Sequence, residues 1–71
     1  MRTADVRAIA EMYTAGTRVV QGSVWAWQGT TIHKLTVEGE RIHIDTTALR
    51  RPVVIDSLTE LHRFFENLKD L

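Results

Sequence analysis

Cysteine is absent from this 71-residue chain, which excludes disulfides and thiolate metal sites alike. Proline occurs once and glycine four times, too few for a collagen-like or low-complexity chain. Neither sign of charge prevails. Nine Lys and Arg face nine Asp and Glu, whereas a polyphosphate binder carries a clear basic excess. The longest aliphatic run is Val53-Val54-Ile55, far below the ~20 residues that span a bilayer. Met1 to Asp5 leads into an amphipathic pattern with no apolar stretch of signal-peptide length. A cytoplasmic protein without membrane contact is therefore expected.

What remains is an ordinary globular composition, 44% hydrophobic and 25% charged, and one domain over residues 1–71. A chain this short buries only ~60% of the surface that its unfolded form exposes. It is marginal alone and gains from association.

The first element is a helix, because Val6, Ile9, Ala10 and Tyr13 recur at i, i+3, i+4 and i+7. Thr3 is expected as its N-cap and Gly16 as its C-terminal stop. Met12 is expected to flank the apolar stripe, and Arg7 with Glu11 forms a solvated i,i+4 pair. From Thr17 to Asp45 the pattern turns to β, rich in Val, Ile, Thr and Trp and broken at Gly29-Thr30 and Gly39-Glu40. Glycine first in a two-residue loop is the type II′ hairpin signature.

Two-residue loops fix the register. Around Gly39-Glu40, Glu38 faces Arg41, Val37 faces Ile42, Thr36 faces His43, Leu35 faces Ile44 and Lys34 faces Asp45. One face is then apolar, and the other carries the opposite-charge pairs Glu38–Arg41 and Lys34–Asp45. Around Gly29-Thr30, Trp27 faces Ile32, Ala26 faces His33, Val24 faces Leu35 and Gly22 faces Val37. The expected core face is Val20, Gly22, Val24, Ala26, Leu35, Val37, Ile42 and Ile44. The opposite face holds Gln21, Ser23, Trp25, Trp27, Ile32, Lys34, Thr36, Arg41, His43 and Asp45. A three-residue loop or a bulge would turn the tryptophans inward. The outward register is preferred, because the inward one buries Gln21 and Ser23 beside them.

Thr46 to Pro52 reads as a loop, and Val53–Ile55 as a short fourth strand or an apolar lead into the last helix. Ser57-Leu58-Thr59-Glu60 is a capping box. Behind it Leu58, Leu61, Phe64, Phe65, Leu68 and Leu71 make one stripe, opposite His62, Arg63, Glu66, Asn67, Lys69 and Asp70. The fold class is therefore α+β, ordered α-β-β-β-(β)-α, with a three-stranded antiparallel sheet and two helices on one face. Asp56, Ser57 and Glu60 open the last helix. The element order resembles that of the double-stranded-RNA-binding domain, which places lysines there to grip phosphates. The likeness extends to element order and to no motif.

Candidate chemistry is sparse. Basic and acidic groups balance in every segment: two and two over 1–16, three and three over 17–46, four and four over 47–71. His43 and Asp45 share a face, yet Thr36 and Lys34 stand opposite them, and a third ligand would have to come from His62 behind the sheet. His33 reads as a satisfied polar residue. No nucleophile set or phosphate loop assembles, so no enzyme, metal or cofactor is expected. Phe64 and Phe65 read as core.

The feature left over is the outward patch of Trp25, Trp27 and Ile32, bordered by Lys34, Arg41 and His43. Exposed aromatics of this kind mark interfaces. Arg50 and Arg51, the single charge run, are a candidate secondary contact. The expectation is a small protein-interaction module, an adaptor, regulator or inhibitor of the size found among phage and mobile-element proteins, that pairs with itself and with another protein. The alternative is a nucleic-acid binder in which the tryptophans stack bases while Lys34 and Arg41 hold phosphates.

Overall fold

The computed structural model describes residues 1–69; Asp70 and Leu71, the latter assigned to the helical stripe, lie outside them. The elements run α1 (Thr3–Tyr13), β1 (Gly16–Val20), β2 (Ser23–Gln28), β3 (Thr31–Glu38), β4 (Arg41–Thr46), β5 (Val53–Ile55) and α2 (Leu58–Lys69). The strands form one antiparallel meander in chain order. This confirms a small α+β domain but corrects the strand count from three to five.

The extra strand at the front arises at Gln21-Gly22. Both residues have positive φ, 49° and 81°, the mirror-image turn that matches strand twist in a two-residue hairpin. Val20 and Ser23 thus become neighbours across a turn. Val20 is consequently on the face away from the helices and 42% exposed, and Gly22 sits in the loop rather than opposite Val37. At the other end Val53–Ile55 pairs with β4, with Ile42 opposite Ile55 and Ile44 opposite Val53. From Ser23 onward the two central hairpins have the expected register, and Gly29 and Gly39 carry the positive φ that their turns require. β4 extends one residue further than expected, because Thr46 pairs with His33.

One core lies between the sheet and the two helices. Val24, Ala26, Leu35, Ile42 and Ile44 from the sheet meet Val6 and Ala10 of α1 and Leu61 of α2, all fully buried, with Phe65 almost so. The expected stripes of both helices face it. Met12 does not: it is 68% exposed. The cap of α1 also differs, for Arg2 is the N-cap and offers no side-chain bond, while Thr14 ends the helix. Gly16 is released from that role and opens β1. In α2 the capping box forms, with Glu60 N–H donating to Ser57 Oγ at 3.1 Å. The Glu60 carboxylate reaches one residue further back, accepting from Asp56 N–H at 3.2 Å. The helices are tied together where the Tyr13 ring stacks on Phe65 and its hydroxyl meets His62 Nδ1 at 2.8 Å. Desolvation, then the adjacent Glu66 carboxylate, raises the Tyr13 pKa.

His33 is the buried polar residue of the helix side, 3% exposed, with Nδ1 2.8 Å from Thr46 Oγ1 and its ring edge-on to Phe64 and Phe65. Burial holds its pKa below the ordinary value of 6.5. The native site therefore resists a proton that the unfolded chain accepts. This contribution to stability is whole above about pH 6.5 and declines as the pH falls below it. Melting temperature should drop on acidification, and His33→Phe should flatten that slope relative to wild type. Parallel slopes for the two proteins would assign the titration to other groups.

Candidate functional site

The sheet has helices on one side only, so its second face is open. Alternation along each strand places Arg18 and Val20 of β1, Ser23, Trp25 and Trp27 of β2, Ile32, Lys34, Thr36 and Glu38 of β3, Arg41, His43 and Asp45 of β4 and Val54 of β5 on it. The antiparallel register sorts them into rows. Gly16, Trp27 and Ile32 form one, Arg18, Trp25, Lys34 and Asp45 the next, and Val20, Ser23, Thr36, His43 and Val54 the third.

The first row is the apolar end. Trp27 and Ile32 are cross-strand partners, 40% and 44% exposed. The Trp27 indole lies across Gly16: a Cβ there would stand 2.5 Å from Trp27 Cζ2. An aromatic ring over a strand glycine replaces the packing that the glycine lacks, and it fixes the indole as part of a flat surface. Gly16→Val should lift the ring off the sheet, cost about 1–2 kcal/mol and shift tryptophan emission to the red. Unchanged emission would mean that the indole does not rest on Gly16.

In the second row Trp25 is half-buried between Arg18 and Lys34, with Lys34 Nζ 5.4 Å from the ring centroid. That cation–π contact takes the place of the expected Lys34–Asp45 ion pair, although the two residues are in register as foreseen. The other expected pair is likewise redistributed. Arg41 bridges to Asp56 at 3.5 Å, and Glu38 turns to His43 Nε2 at 3.0 Å. These are exposed contacts, each worth a few tenths of a kcal/mol. What they set is the pattern of charge: Arg18, Lys34 and Arg41 are matched by Glu38, Asp45 and Asp56.

The third row is polar at its centre, where Ser23 and Thr36 hydroxyls bond at 2.9 Å. Ser23 is buried although it is on the open face. The row ends in exposed valines at both sheet edges, Val20 and Val54.

The structure thus places on one face six of the residues singled out from sequence, Trp25, Trp27, Ile32, Lys34, Arg41 and His43, with Arg41 three rows away from the Trp27–Ile32 pair. Arg50 and Arg51 are exposed in the β4–β5 loop, which is anchored to β3 by paired bonds between Thr47 and Ile32. Arg18, Val20 and Val54 were not foreseen. The first two follow from the Gln21-Gly22 hairpin, and simple alternation over 53–55 places Val54. His62 is on the helix side, bonded to Tyr13 and separated by the sheet from His43 and Asp45. Among the described residues no three His, Asp or Glu side chains cluster as metal ligands would, and no helix is long and apolar enough to cross a membrane. Comparison with protein-family models, curated proteins and solved structures returns no match.

Proposed function

We propose that the protein is a binding module rather than an enzyme, that it uses the open sheet face to pair with a second copy of itself, and that it serves as a small adaptor, regulator or inhibitor of another protein. The observation that carries this reading is the Trp27–Ile32 pair, two large apolar side chains each at least 40% exposed on a face that no helix covers. Large apolar groups on water favour association by roughly 25 cal/mol per Å² buried. The charge pattern favours self-pairing. In a two-fold dimer the same patch meets itself, and a face whose three cations are offset by Glu38, Asp45 and the neighbouring Asp56 can oppose its own copy with little net repulsion. A nucleic acid offers no such match, because every added phosphate also meets Glu38, Asp45 or Asp56.

Iodide quenching over a dilution series tests the reading. Trp27 emission should be red-shifted and readily quenched at high dilution and protected as concentration rises. Quenching that is independent of concentration would withdraw the self-pairing. Nucleic acid should bind no tighter than about micromolar at physiological salt. A tight, salt-sensitive complex lost on Lys34→Ala or Arg41→Ala would replace the proposal with a nucleic-acid function on the same face.

A further inference from the structure

The two edges of the sheet are built differently. β5 is three residues long and follows Pro52. Both features discourage pairing at an edge. β1, the opposite edge, is five residues long and holds neither proline nor lysine. Val19 and Val20 project from it to opposite faces, the first toward the helix side and the second toward the open face, and each is 42% exposed.

The turn after β1 decides which of its backbone groups are free. A two-residue hairpin with positive φ at both loop residues closes on a hydrogen-bonded pair, here Val20 and Ser23. Alternation then turns the N–H and C=O of Arg18 toward β2 as well, whereas those of Thr17 and Val19 point away from the sheet. None of these four groups bonds to another part of the chain among the described residues. A second copy is a poor occupant of the edge. The one two-fold register that uses all four groups sets Thr17 of each copy opposite Val19 of the other. It also sets Arg18 directly opposite Arg18, a like-charge cross-strand pair. Arg18 is exposed and has no carboxylate within ion-pair distance among the described residues. In its row Asp45 lies three strands away. The edge is therefore a strand template with an unpaired cation at its centre and an exposed valine on each face.

We infer that β1 captures an extended segment of another protein as a sixth, antiparallel strand, with an acidic residue opposite Arg18 and β-branched residues opposite Thr17 and Val19. In this mode main-chain hydrogen bonds supply affinity and the alternate side chains supply selectivity. The inference rests on the reading of the chain as a binding module and not on its self-pairing, which uses the face and leaves the edge free.

The probe is the capped pentapeptide Ile-Val-Glu-Val-Thr, titrated into the intact chain and followed by amide NMR and hydrogen exchange. In the free protein the Thr17 and Val19 amides should exchange fast, beside protected amides at Arg18 and Val20. The peptide should bind saturably at about millimolar concentration and slow exchange at Thr17 and Val19. Methylating both valine nitrogens, which face β1, should abolish binding, and methylating the glutamate nitrogen, which faces water, should leave it unchanged. The same peptide with lysine in place of glutamate should bind about fivefold more weakly, and Arg18→Glu should invert that preference. Ile32→Asp should bind the peptide as wild type does, which separates the edge from the open face. Thr17 and Val19 amides that become protected as the free protein is concentrated would give the edge to a second copy and overturn the inference. So would the absence of a saturable shift, binding indifferent to valine methylation, equal binding of the lysine peptide, or loss of binding in folded Ile32→Asp.

Discussion

Leu35→Ala should remove a large share of the protein's stability. Leu35 is fully buried at the middle of β3, the central strand, between Val24 and Ile44 in register and under both helices. Truncation there loses the transfer free energy of the side chain and leaves a cavity that a sheet held on both sides cannot close, about 3–5 kcal/mol in all. A domain of this length holds roughly 4–10 kcal/mol, so one substitution removes a large share. Urea denaturation should show the midpoint falling by about a third or more with an unchanged slope. A loss below about 1 kcal/mol would mean that the core is not built around this strand.

Ile32→Asp, three residues earlier on the same strand and on the opposite face, should behave in the contrary way. Ile32 is 44% exposed in the monomer, so an aspartate there is solvated and the fold should persist with an unchanged circular dichroism spectrum. In a two-fold dimer the same change places a carboxylate from each copy into the contact. Each buried, unpaired charge costs several kcal/mol, and the apolar area of two isoleucines is lost as well. Self-association should weaken by at least about a thousandfold, since every 1.4 kcal/mol is tenfold. An unfolded variant would mean that Ile32 supports the monomer's core. A variant that still associates would move the contact to another surface.

The contrast between Leu35 and Ile32 was legible in the sequence because strand alternation and glycine-first loops together admit few registers. Gly29 and Gly39 set two hairpins, and five of the six cross-strand pairs in β3–β4 followed by counting, His33–Thr46 being the exception. The first hairpin was hidden because its turn begins with Gln21, a residue rarely found at positive φ, between stretches that both read as strand. Glycine at 22 alone resembles a strand glycine. That one omission displaced Val20 from the open face to the core and left Arg18 without a place. Gly16 misled for a related reason. It follows a helix and looks like a stop, yet its role is to give room to the Trp27 ring, a contact made only once β1 and β2 have paired.

Exposed charges were less legible than register. Glu38 and Arg41 are directly opposite each other, but their long side chains reach His43 and Asp56 instead. Differences of a few tenths of a kcal/mol decide between such partners, and position along a strand does not fix them. Trp25 and Lys34 settle into a cation–π contact by the same small margins. The His33–Thr46 bond, by contrast, needed only the strand register and one further residue of β4 to become visible.

Sedimentation velocity of the wild-type chain, from about 1 to 100 µM and at low and physiological salt, decides whether the open face pairs with its own copy. A dimer should form within this range, with Trp27 protected from quencher as the dimer fills and with Ile32→Asp sedimenting as a folded monomer at every concentration. A wild-type monomer throughout, or a dimer that Ile32→Asp leaves intact, would contradict it.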